Sequence, residues 1–116
     1  MKNSEKAKLC DFVAELALKC GAEVSKSGDY SAWEVNKDSE IKNKMTDVYQ
    51  RLFNKKPRLS AFHGGVECGV FMGKLPDMDC ISIGPDILDI HTVNERMSLS
   101  SAERTYELLV STLKEL

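Results

Sequence analysis

Three stretches of this chain repeat apolar residues at three- and four-residue steps, a spacing that makes one continuous apolar side only when the backbone winds into an α-helix. From Ser4 to Cys20 the stripe is Leu9, Phe12, Val13, Leu16 and Cys20, closed by Gly21. A second stripe, Ile41, Met45, Val48, Tyr49 and Leu52, follows Asp38 or Ser39 as a cap, and Pro57 bars its continuation. The third, Ala102, Tyr106, Leu109, Val110, Leu113 and Leu116, follows Ser100 and Glu103 at capping-box spacing.

Between the helices lie shorter segments of strand character. Ala22–Ser25 and Tyr30–Val35 flank the turn residues Ser27, Gly28 and Asp29. Leu59–Phe62 runs into His63, Gly64, Gly65 and a brief helical stretch over Val66–Met72. Met78–Ile83 alternates and stops at Gly84 and Pro85, whereas Asp86–Ser98 shows no clear period. Helix and strand alternating after residue 38 predicts an α/β fold: a small, mainly parallel sheet with right-handed crossovers and helices on both faces. The candidate boundary lies near Trp33–Asp38, and a lobe of about 35 residues before it is below the size that usually folds alone.

Charge and composition narrow the function. Sixteen Lys and Arg against 18 Asp and Glu give a net charge of −2 with the signs interspersed, so no basic stripe for a nucleic-acid backbone is present. The apolar runs are short and the first ten residues polar, which predicts no membrane span, no secretory signal and a cytoplasmic protein. Cys10, Cys20, Cys68 and Cys80 lack the close spacing of a zinc knuckle or redox pair and read as reduced, core-type cysteines.

In open parallel sheets ligands gather beyond the carboxyl ends of the strands, where His63-Gly64-Gly65, Gly84-Pro85-Asp86 and the stretch through His91 would fall. Gly64 and Gly65 suit either a tight turn or a backbone cradle for a carboxylate or phosphate. His63 and His91 are candidate metal ligands or turn residues, and no His-x-x-His or Glu-x-x-His spacing decides between the two. Asp77, Asp79, Asp86, Asp89 and Glu95 offer acid/base groups, support for an imidazole, or turn caps. Trp33 reads as a packing residue, and Ser82 has no adjacent base.

Three ordered motifs carry a resemblance: Ala61-Phe62-His63-Gly64-Gly65-Val66-Glu67-Cys68-Gly69, then Pro76-Asp77-Met78-Asp79-Cys80-Ile81-Ser82-Ile83-Gly84-Pro85, then His91-Thr92-Val93-Asn94-Glu95-Arg96. Together with Gly28–Trp33 upstream and Ser100–Arg104 downstream, they resemble the carboxyl-terminal part of the aminoacyl-histidine (Xaa-His, or non-specific) dipeptidases. Those enzymes belong to a co-catalytic di-zinc peptidase family that also contains carnosinases and succinyl-diaminopimelate desuccinylases. The resemblance implies that His91 is a zinc ligand, that Gly64, Gly65 and His63 contact a dipeptide substrate near its carboxylate, and that Glu95 supports the ligand. It also implies that residues 1–36 end a lid and dimerisation domain and that residues 37–116 complete a catalytic domain. The family further needs a His-x-Asp pair, a bridging Asp and a Glu-Glu pair holding the general base; this sequence has neither His-x-Asp nor Glu-Glu. The resulting expectation is a fragment of a zinc dipeptidase, inactive alone and self-associating. A non-catalytic binding or assembly module on the same scaffold is the alternative.

Overall fold

A computed structural model describes residues 2–61 and 67–116. Helices α1 (Asn3–Lys19), α2 (Glu40–Phe53), α3 (Glu67–Lys74) and α4 (Leu99–Leu113) form, with strands β1 (Ile87–Leu88) and β2 (Arg96–Met97) between the last two. They fall into two compact units, Met1–Lys37 with Ser60–Asp79, and Asp38–Leu59 with Cys80–Leu116.

The α/β class with a mainly parallel sheet is overturned. Among the described residues the chain is mainly helical, and its one sheet is an antiparallel pair matching Ile87 with Met97 and Leu88 with Arg96. None of the described residues in Ala22–Ser25, Tyr30–Val35, Leu59–Phe62 or Met78–Ile83 forms a strand. Alternation states which way side chains would face beside a neighbouring strand; it does not supply the neighbour, and a parallel ladder needs one on each crossover.

In the first unit α1 forms where expected, but its stripe is not covered: Leu9, Phe12, Val13 and Leu16 are all more than half exposed, and no residue of the helix is buried. Polar contacts hold the helix instead. The Asn3 amide donates to Glu34 Oε1 (2.9 Å), and Asn3 Oδ1 accepts from the Ala32 amide (2.7 Å). Lys6 pairs with Asp29 (2.6 Å), donates to the Tyr30 carbonyl and lies 4.7 Å from the Tyr30 ring centroid. The Lys6 ammonium holds the exposed Asp29 carboxyl below the usual carboxylate range. What the pair contributes is therefore present above that range and lost as pH falls through the lowered value. None of the four cysteines forms a disulfide, yet Cys10 and Cys20 are exposed; only Cys68 is buried as a core residue would be, with Cys80 half-buried.

Within the same unit α3 receives the 31–33 segment on two glycines one turn apart. A Cβ at Gly69 would stand 2.8 Å from the Ser31 carbonyl oxygen and 3.3 Å from the Trp33 nitrogen, and one at Gly73 would stand 2.6 Å from Ser31 Cβ.

The second unit is built on α2 against α4. Met45, Val48 and Leu108 are its buried core, with Tyr49, Phe53 and Ile81 packed around them and the Tyr49 and Phe53 rings edge-to-face at 4.8 Å. Ser39 caps α2 by accepting from the Lys42 amide (3.1 Å), and the helix ends at Asn54 in the left-handed region (φ 51°), before Pro57 is reached. Arg51 pairs with Glu115, tying α2 to the end of the chain. The cap of α4 is Ser98, not Ser100, and its buried residues are Ser101, Leu108 and Thr112, whereas the expected stripe leaves Tyr106, Leu109, Leu113 and Leu116 exposed.

Gly69→Ala tests the α3 packing through the sign of its effect. On an open helix surface this change would stabilise by about 1 kcal/mol. Against the fixed backbone of Ser31 and Trp33 it is expected to destabilise by about 1–3 kcal/mol, read from urea unfolding. A rise in stability would show that the 31–33 segment does not lie on α3.

Candidate functional site

Residues 86–98, which show no apolar period, form a hairpin held together by turn chemistry. Two non-glycine residues take left-handed backbone, Asp89 (φ 54°) and His91 (φ 64°). Asp and His are among the side chains that tolerate this region, where β-branched residues are strained. The Asp89 carbonyl accepts from the Thr92 amide (3.2 Å) and hydroxyl (2.6 Å), and its carboxylate pairs with Arg96 (2.9 Å). Thr92 in turn accepts from the Asn94 amide at its hydroxyl (3.2 Å) and from the Glu95 amide at its carbonyl (3.2 Å). Glu95 then reaches back, its Oε2 accepting from the His91 amide at 2.8 Å. His91 is thereby fixed through its backbone, while the residue as a whole is exposed.

The base of the hairpin is tied to α4. The Ser98 amide donates to the Asp86 carbonyl (3.0 Å), the Asp86 amide donates to Ser101 Oγ (2.8 Å), and that hydroxyl donates to the Ser98 carbonyl (2.8 Å). The Ser101 amide caps onto Ser98 Oγ (3.3 Å). Arg104 stands 3.8 Å from the Asp86 carboxylate.

Of the residues singled out from sequence, the structure brings His91, Glu95, Asp89 and Asp86 into this one hairpin. Glu95 supports His91 by way of the amide. His63, Gly64 and Gly65 lie outside the described residues. Asp77 and Ser82 are exposed, and Trp33 is half-buried beside the Gly69 position. The serines of the hairpin base went unmarked by sequence reasoning; the cluster Ser98-Leu99-Ser100-Ser101 signals a helix start, but not which hydroxyl does what. Among the described residues no three His, Cys, Asp or Glu side chains converge to hold a metal ion. The described residues therefore do not by themselves make a complete ligand set for a metal ion.

The family model described as peptidase family M20/M25/M40 matches residues 5–115. The chain belongs to this family. It is 36% identical over 108 residues to the cytosol non-specific dipeptidase of Escherichia coli (strain K12), an alignment covering 93% of this chain and 22% of that protein. Its fold matches the crystal structure of aminoacylhistidine dipeptidase from Vibrio alginolyticus with a TM-score of 0.81 at 29% identity, over 98% of this chain and 23% of that one. The chain thus spans less than a quarter of the length of these two relatives. No helix among its described residues is long and apolar enough to cross a membrane.

The left-handed backbone at residue 91 yields a test. His91→Gly removes the steric cost and is expected to change stability by no more than about 1 kcal/mol, whereas His91→Val should lose about 1–3 kcal/mol. Equal thermal midpoints for the two variants would mean that residue 91 does not hold this conformation.

Proposed function

We propose that this chain is the carboxyl-terminal portion of a zinc-dependent dipeptidase acting in the cytoplasm on Xaa-His and related dipeptides. The observation that carries the reading is His91: an exposed imidazole on left-handed backbone, its amide held by Glu95, in a member of a metal-dependent peptidase family. The donor chemistry fits, since neutral imidazole is a common zinc ligand and backbone restraint places it before an ion arrives. Zinc, when bound, supplies polarisation of the scissile carbonyl and a water of lowered pKa. His91 would hold one metal, with Glu95 keeping its backbone in place, and Gly64, Gly65 and His63 would receive the substrate near its carboxylate. Residues 1–36 would end the lid domain and 37–116 complete the catalytic domain. The chain alone lacks His-x-Asp and Glu-Glu, so it has neither a full ligand set nor the family's general base.

A second reading, an assembly module that does no chemistry, is favoured by the uncovered apolar side of α1, which would also let the chain self-associate.

The isolated chain is expected to show no turnover of Xaa-His dipeptides with zinc, cobalt or manganese in a ninhydrin assay. Metal-dependent hydrolysis abolished by His91→Ala would overturn the fragment reading. In a chimera carrying this chain in place of the matching segment of the Escherichia coli relative, hydrolysis is expected to persist. There His91→Ala should lower kcat by about 100-fold or more with loss of zinc, and His63→Ala should raise KM with zinc retained. Equal zinc loss in both variants would show that the ligand is assigned wrongly, and an inactive but folded chimera would favour the assembly module.

A further inference from the structure

The hairpin base contains a departure from a regular ladder. With Ile87 opposite Met97, the next position outward sets Asp86 opposite Ser98, and an antiparallel pair at such a position can exchange two amide–carbonyl bonds. One of them is present: the Ser98 amide donates to the Asp86 carbonyl at 3.0 Å. The return bond is replaced by the hydroxyl of Ser101, which accepts from the Asp86 amide at 2.8 Å and donates to the Ser98 carbonyl at 2.8 Å. Ser101 belongs to the first turn of α4 and is 4% exposed. Its hydroxyl is thus spliced into the strand pair, and through it the hairpin becomes continuous with a helix whose far end is packed in the core.

We propose that Ser101 is a positioning residue for His91. A hydroxyl both donates and accepts, which is what the gap between an amide and a carbonyl requires; a methyl does neither. Through the Asp86–Ser98 pair, Ser101 sets where the two strands leave α4, and the strands set where the loop carrying His91 stands. A pair of two-residue strands is too short to hold that placement by itself. This inference rests on the reading of His91 as a metal ligand for its functional meaning, and on the hydrogen bonds alone for its structural content.

The test uses the full 116-residue chain with Ser101→Thr and Ser101→Val, two replacements matched in shape that differ in the hydroxyl. Amide hydrogen exchange is read at Asp86, Ser98 and His91, with Leu108 and Thr112 as internal references in α4. Thr is expected to behave as the parent chain. Val should speed exchange at Asp86 and His91 by about tenfold, the order expected for one partly buried hydrogen bond, with the α4 references unchanged. Unchanged exchange at Asp86 and His91 in the Val variant overturns the proposal. So does equal acceleration throughout α4, which would mark Ser101 as merely a helix residue, and so does failure of Thr to preserve the parent behaviour.

A separate arm follows the His91 imidazole protons by NMR as zinc ion is added, in a His63→Gln background so that one histidine remains. The positioning role predicts that His91 responds at several-fold lower zinc in the Thr variant than in the Val variant. Equal responses in the two overturn it. No response of His91 in either, with the exchange difference intact, would overturn the ligand reading and leave Ser101 as the residue that positions the hairpin.

Discussion

The contact between α2 and α4 is the constraint on which the second unit depends. Val48, 1% exposed, packs with Met45 and Leu108, and burial of one such side chain stabilises by about 1.5–3 kcal/mol. Leu108 shares its side of α4 with Ser101 and Thr112, seven residues before and four after, so the buried face of this helix is part apolar and part hydroxyl. Thr112 returns its hydroxyl to the Leu108 carbonyl at 2.8 Å and so brings no unsatisfied group into the core. Ser101 sends its hydroxyl outward along the chain to the hairpin. One helix face therefore does two things, packing at its far end and holding the hairpin at its near end.

That mixed face also explains where the sequence could and could not be read. The stripe of α2 was legible because Met45 and Val48 are apolar and lie on the helical period. The period of α4 was equally plain, yet it pointed to Tyr106, Leu109 and Leu113, which are exposed, and away from Ser101 and Thr112, which are buried. A periodicity argument counts apolar residues, and a buried hydroxyl that satisfies itself locally is invisible to it. The hairpin was hidden for a related reason. Its two strands are two residues each, and what shapes it is the left-handed backbone of Asp89 and His91 with the side-chain bonds of Thr92 and Glu95. In the sequence His91 is marked by its loop beyond Gly84 and Pro85, and the roles given to His91 and Glu95 come from the resemblance that the motif His91-Thr92-Val93-Asn94-Glu95-Arg96 carries.

The strand assignments failed through a different physical cause. A helix closes its hydrogen bonds within itself, so α1 forms even though Leu9, Phe12, Val13 and Leu16 stay exposed. A strand cannot, and Met78–Ile83, however well it alternates, forms none here. Alignment to relatives more than four times as long is consistent with that: the local code for helices is carried in any piece, whereas the partners of a strand can lie anywhere in a longer chain.

The hairpin lies at the local end of that same scale. Its bonds join residues two to fifteen positions apart, from Asn94 with Thr92 through His91 with Glu95 to Asp86 with Ser101. Both partners of every one of these bonds lie within Asp86–Ser101. The restraint on His91 acts on its amide, so it fixes the backbone at that position and not the imidazole ring. Fixing the backbone removes one part of the ordering cost of any contact made at that position, while the side chain's own rotamer freedom is still there to be lost. The hairpin is thus shaped by short-range bonds, the kind of structure that a chain less than a quarter as long as its relatives carries within itself.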